Sequence, residues 1–241
     1  DRTRTFIIAM ERTVVQENFS FRMTDEEYRV LEKIKNSIPV CYLADHADFA
    51  LGIVTGNNKK FLSAEKTEHS EMVLKGTDIC KYHINPVKQY LRFEPEQFQQ
   101  VAPLEIYRAP EKLLYRFISN QLVVAYDDRQ MLSLNSCNIV IPKIEGMQIK
   151  YILAILNSSV SQFVYQKEFH SIKVLRAHME HIPIPRVGKA IQNEIIAMTE
   201  PLICGMGKEA AETCQKRLDC RIMDLFRLSA EEQWIIRHAL H

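Results

Sequence analysis

The residues best placed to do chemistry lie in one loop, Gly52 to Glu65, which reads GIVTGNNKKFLSAE. Two glycines, the polar side chains Thr55, Asn57 and Asn58, and the cations Lys59 and Lys60 sit there between apolar runs. Such a loop could cradle a nucleotide phosphate, touch nucleic acid, or simply turn a hairpin. A phosphate cradle needs G-x-x-x-x-G-K-[ST], but Gly52 and Gly56 are spaced too closely and Lys59 is not followed by Ser or Thr. A G-x-G-x-x-G dinucleotide turn occurs nowhere in the chain. His178 and His181 could share a helix face and bind a metal together with Glu168 or Glu180. The ordinary reading is a pair of surface or half-buried histidines near a helix end. Asp127 and Asp128 are adjacent, so their carboxylates diverge and suit a turn better than acid-base work. No Ser or Cys stands in a nucleophile elbow. Cys41, Cys80, Cys137, Cys204, Cys214 and Cys220 form no C-x-x-C pair, which points to reduced thiols rather than zinc or a disulfide framework.

Cations interleaved with rings are more suggestive. Lys81, Tyr82, His83, Lys88, Tyr90 and Arg92 fall in one stretch, and Tyr107, Arg108, Lys112, Tyr115 and Arg116 in the next. Cations meet phosphates, and planar groups stack or donate hydrogen bonds, as DNA contact requires. The whole chain is nearly neutral, with 31 Lys and Arg against 30 Asp and Glu, so any anion-binding surface must be local.

Several elements must position these residues. Thr24 with Glu27 forms a capping box opening a helix over 25–36, with Tyr28, Leu31 and Ile34 on one face. FALGIVTG reads as a strand entering the loop and KKFLSA continues beyond it. APEKLLYRFIS reads as a helix started by Pro110, with Leu113, Leu114, Phe117 and Ile118 at helical spacing. QLVVAYDD and NIVIPK read as strands. An amphipathic helix from Ile149 through Val164 is expected to break at Asn157, Ser158 and Ser159. After IPIP, helices over 188–203 and 207–227 pair across Gly205 and Gly207, and Ser229 with Glu232 caps a last one. Residues 3–15 and 17–23 read as a β-rich pair trailing from an upstream element.

At 241 residues and 46% hydrophobic, the chain can bury a real core. It has neither a bilayer-length apolar run nor a signal-peptide layout, so the expectation is a soluble, cytoplasmic protein. Its first residue is Asp1 rather than Met, which suggests a piece of something longer. The expected architecture is α+β: mixed small sheets with packed helices, then a helical tail. The expected division is 1–38, 39–186 and 187–241.

In order along the chain, these blocks resemble the TaqI-like C-terminal specificity domain, the target-recognition module of bacterial N6-adenine DNA methyltransferases in restriction-modification systems. FALGIVTGNNKKFL is similar to that family's apolar opening. LKGTDICKY is similar to its G-[KR]-D-I-x-x-Y segment, with Thr77 standing where a basic residue is usual. APLEIYRAPEKLLYRFISNQLVVAYDD, then YILAILNSSVSQFVYQKEFHSIKVLRAHMEHIPIP with its L-N-S and E-x-[IL]-P-[IL]-P features, and RIMDLFRLSAEEQWIIRHAL resemble the later blocks. Together they span about residues 40–241.

The resemblance implies a non-catalytic, DNA-binding fragment. The family's catalytic domain holds S-adenosylmethionine and a flipped adenine with an [ND]-P-P-[YF] motif. Here Asn85-Pro86-Val87 lacks the second proline and the aromatic ring. No cofactor or metal is expected in this chain, only S-adenosylmethionine in its parent. The implied partners are double-stranded DNA, an upstream methyltransferase domain and a further specificity or nuclease partner, with no membrane. Lys59, Lys60, Arg108, Lys112, Arg116, Lys173 and Arg176 are the phosphate or base candidates, and Asn57, Asn58 and Tyr82 the loop contacts. Arg176 could instead tie to Glu180 at i to i+4. The competing reading is a protein-docking module of a phage-defence complex without direct DNA contact.

Overall fold

The computed structural model describes residues 23–169 and 171–240, so the β-rich pair expected over 3–15 and 17–23 lies outside it save for Met23. Helix α1 (Asp25–Asn36) precedes strands β1 (Val40–Cys41) and β2 (Ala47–Ala50) and the one-turn helix α2 (Asn58–Phe61). Strands β3 (Leu62–Ser63), β4 (Ser70–Leu74) and β5 (Tyr90–Arg92) come next, then the short helix α3 (Leu104–Tyr107). Strands β6 (Lys112–Arg116), β7 (Val124–Asp127), β8 (Leu132–Ser133) and β9 (Cys137–Pro142) follow. Helices α4 (Ile149–Asn157), α5 (Ser159–Glu168) and α6 (Arg176–Glu180) lead through β10 (Ile184–Pro185) into α7 (Lys189–Ile203), α8 (Lys208–Leu225) and α9 (Ala230–Ala239). The class is α+β, as expected.

An antiparallel sheet in the order β2-β9-β6-β7 divides the molecule. Side chains alternate across a strand, and β6 uses both directions. Leu113 and Tyr115 join the core beneath the helices, with Val140, Leu153, Phe163, Leu218, Ile222 and Phe226. Leu114 joins a second core with Ile139, Ala125, Leu74 and Leu91, beneath the smaller sheet β3-β5-β4-β8. This corrects the helix expected over APEKLLYRFIS. A central strand buried on both faces shows a continuous apolar run, which mimics helical spacing over so short a window.

Lys112 and Asp127 face each other across the β6–β7 register, and both side chains are wholly buried. The ammonium lies 2.5 Å from Asp127 and donates to the Tyr107 carbonyl at 2.6 Å. Asp127 also accepts the backbone N–H groups of Arg129 and Met131, so it shapes the turn as expected and neutralises the buried cation as well. Burial pushes the Lys112 ammonium below its usual range, opposed by Asp127.

The free edge of β7 is closed by side chains rather than by another full strand. Asn157 accepts from the Val124 N–H at 3.1 Å and donates to its carbonyl at 2.8 Å. Gln162 does the same to Leu122, at 2.9 and 3.0 Å. The backbone of Tyr82 adds a bridge at Val124 and Tyr126. The expected helix break serves this closure: Ser158 ends α4 and caps α5, accepting the Ser161 N–H. Unlike the expected amphipathic helix, α4 is buried on every side from Tyr151 to Asn157.

Both capping boxes form, at Thr24 with Glu27 and at Ser229 with Glu232. The same carboxylates also tie helices together, Glu27 to Lys167 at 2.7 Å and Glu232 to Lys33 at 2.6 Å. Helices α7 and α8 pack as the expected hairpin, with Gly205 in a left-handed turn and Arg221 forking onto Glu194. Before β10, the segment 171–181 folds back on the end of β6: Val174 donates to the Phe117 carbonyl and Ser119 to that of Ile172. His178 pins this segment, with Nδ1 accepting the Leu175 N–H at 3.2 Å and the ring stacked 4.5 Å from Phe169.

Two outcomes follow. Lys112→Met leaves Asp127 buried without its cation, and urea denaturation should show a loss of about 3–5 kcal/mol, partly restored by adding Asp127→Asn. Burial, aided by the charge of His181, holds the His178 pKa below 6.5. Its contribution is therefore complete above that value, where the ring is neutral in both states, and is lost as pH falls through the lowered pKa. Melting temperature should decline from pH 7.5 to 5, and His178→Phe should flatten the part of that decline due to this ring.

Candidate nucleic-acid interface

The Gly52–Lys60 loop is held from below by one close approach and by backbone bonds on either side. A side chain at position 52 would sit 2.1 Å from the Leu134 carbonyl oxygen, so only glycine passes there. Beyond it, Ile53 takes part in bonds to Ser133 and Asn135, and Val54 exchanges both backbone bonds with Gln100, at 2.9 and 3.1 Å. Gly56 then turns the chain with φ +74°. Asn57 caps α2 by accepting the Lys60 N–H, and Asn58 accepts from the buried Thr55 hydroxyl at 2.7 Å. The asparagines therefore build the turn that presents Lys59 and Lys60 to solvent.

Around this turn lies a compact set of charges and rings. Phe61 is buried, with the Lys60 ammonium 4.8 Å from its centroid and the Arg92 guanidinium 5.9 Å away. Phe98 meets Phe61 edge-on at 5.1 Å and Phe93 at 5.7 Å. Lys60 donates to Gln97 at 2.6 Å, Gln97 to Glu94 at 2.7 Å, and Arg92 reaches Glu94 at 2.9 Å. Lys59, Lys60, Arg92, Gln97, Gln99 and Gln100 are all exposed. In the sequence Arg92 stands out only as part of a basic stretch, and the glutamines do not stand out at all. Their signal is the amide-rich run EPEQFQQ beside a phenylalanine.

The other candidates part company with this surface. Lys112 is buried in its ion pair, so its charge is not offered to a partner. Tyr82 is 2% exposed, with φ 74° and its backbone bridged to β7, which removes it from any loop surface. Arg108 forks onto Glu71 with both oxygens at 2.7 Å and donates to the Gln130 carbonyl. Arg116 donates to the carbonyls of Gly76 and Ile79, fixing the bend after β4. These arginines bind their own chain because the fold turns them towards backbone carbonyls and a carboxylate, a matter of tertiary placement that composition does not reveal.

Lys173 and Arg176 stay exposed on the folded-back segment, 5.9 Å from the Phe117 ring and 5.2 Å from the Phe49 ring. Arg176 makes the expected tie to Glu180 at 2.7 Å. His178 and His181 gather no third ligand: among the described residues no group of three or more His, Cys, Asp or Glu could hold a metal.

Known proteins supply a frame for this geometry. No curated protein matches the sequence. Among solved structures, the type IIG restriction endonuclease BpuSI superposes with a TM-score of 0.53 at 13% identity, over 90% of this chain and 32% of its own. The type IIL restriction-modification enzyme MmeI, solved in complex with DNA, gives 0.51 at 9% identity, over 83% of this chain and 35% of its own. The HsdS subunit from Thermoanaerobacter tengcongensis gives 0.43 at 14% identity, over 90% and 50%. The chain thus spans about a third of the length of BpuSI and MmeI, and the likeness to those two is one of fold. The family model of the TaqI-like C-terminal specificity domain matches residues 71–184, a shorter span than the 40–241 drawn from the motifs, and it begins after the Gly52–Glu65 loop. From within β4 to the first residue of β10, residues 71–184, the chain is thus similar to the TaqI-like C-terminal specificity domain family.

Proposed function

We propose that the chain binds duplex DNA beside an upstream adenine methyltransferase domain and sets which sequence that domain modifies. The observation that carries this is the cluster of exposed cations Lys59, Lys60 and Arg92 around the Phe61 ring, on a turn fixed by Gly52, Thr55 and Asn57. A rigid cationic turn in a chain of net charge +1 concentrates phosphate attraction at one place. The match of residues 71–184 to a specificity family, and the fold likeness to an enzyme solved with DNA, support the same reading.

In this reading Lys59, Lys60 and Arg92 grip the backbone and set register. Lys173 and Arg176 extend the phosphate grip from the segment that folds back on β6. Base flipping, the S-adenosylmethionine pocket and methyl transfer belong to the upstream domain.

Fluorescence anisotropy with a random duplex tests this. Binding is expected at low salt and should weaken steeply as salt rises. Lys59→Glu with Lys60→Glu should reduce affinity about tenfold or more and lower the salt slope by about one unit for each phosphate no longer neutralised. Absence of binding at low salt, or binding indifferent to salt, would sink the proposal in favour of a protein-docking module.

A further inference from the structure

We infer that Gln99 is a base-reading side chain of this surface and that the base it reads is adenine. The inference rests on the DNA-binding reading above and gives it a specific residue. A glutamine grips adenine in the major groove by using both ends of its amide at once, the oxygen accepting from N6 and the nitrogen donating to N7. A reader must therefore be exposed, have both amide ends free, and be held on a backbone that does not drift.

The amides near the cationic turn differ sharply by these criteria. Asn57 and Asn58 have spent their oxygens on the Lys60 N–H and the Thr55 hydroxyl, so neither can form the two-pronged contact without undoing the turn. Gln97 is engaged at both ends, by Lys60 and by Glu94. Gln99 and Gln100 are exposed, and neither side chain has a hydrogen-bond partner among the described residues; of the two, Gln99 is the one that lies beside the Gly56 turn.

Its backbone is anchored through its two neighbours. On one side Phe98 is wedged against Phe61 and Phe93. On the other, Gln100 is locked to Val54 by two backbone bonds. Gly56 lies alongside, and a side chain there would come within 3.4 Å of the Gln99 Cβ. The glycine that permits the turn thus also leaves the approach to Gln99 uncrowded. Lys59, Lys60 and Arg92, on the segments that flank it, supply the backbone grip that would hold a base edge against the amide.

Selection from a randomised duplex library, run with the full chain, decides the matter. The wild type should enrich a site containing a fixed adenine. Gln99→Ala should relax that position, cutting discrimination there about tenfold or more while other positions hold. Gln99→Arg should change the selected base from adenine to guanine, since arginine pairs with O6 and N7 of guanine. Unfolding cannot mimic that change of letter, and the alanine variant decides alone if the arginine variant fails to bind. If the wild type enriches a site and Gln99→Ala selects the same site unchanged, the assignment of Gln99 falls while DNA reading stands. If the wild type enriches nothing, the DNA-reading proposal fails and this inference with it.

Discussion

Strand β6 has no solvent-facing side, and the arrangement of the molecule depends on that burial. Leu113 and Tyr115 belong to the helical core and Leu114 to the core of the smaller sheet, so three consecutive residues join the two halves. A strand of this kind gains hydrophobic stabilisation from both faces, but it needs partners for every backbone group and every polar side chain it carries inward. Strands β7 and β9 satisfy the backbone. Lys112, which begins the strand, survives burial only because Asp127 stands opposite and the Tyr107 carbonyl accepts a further hydrogen bond from the ammonium. The helices matter to the small sheet through the same route: whatever fixes β6 also fixes the platform beneath the Gly52–Lys60 loop.

The edge of this sheet shows how helices can replace a strand. Asn157 and Gln162 each present an amide oxygen and nitrogen to one residue of the β7 edge, as a neighbouring backbone would. Side chains pointing inward from helices cover an edge without offering a new one, which guards against pairing with another chain. It also explains why α4 and α5 are separated at Ser158, because the reorientation brings both amides to the same edge.

Local signals are legible in the sequence with little loss. The two capping boxes, the break at Ser158 and the glycine turn between α7 and α8 each depend on neighbours within a few residues. Misreadings arise where a distant partner decides the outcome. The run KLLYR is a strand because two cores meet on it, and Lys112 is a buried ion because strand register puts Asp127 opposite. Tyr82, Arg108 and Arg116 look like surface chemistry as residue types, yet the fold turns each inward or onto groups of its own chain. Lys59 and Lys60 are legible because a short polar turn between apolar runs must expose its tip.

The parallel pairing of β4 with β8 has a consequence for the order of assembly. Val73 and Leu74 take their parallel register from Leu132 and Ser133, and Ile53 is held by the chain on either side of Leu134. Such pairings between distant parts of a chain close large loops and form late. During synthesis, the polypeptide that carries the Gly52–Lys60 loop emerges well before the residues that hold it in place. Until β8 and β9 arrive that loop lacks the Ser133–Asn135 backbone beneath it, so its final placement is completed late.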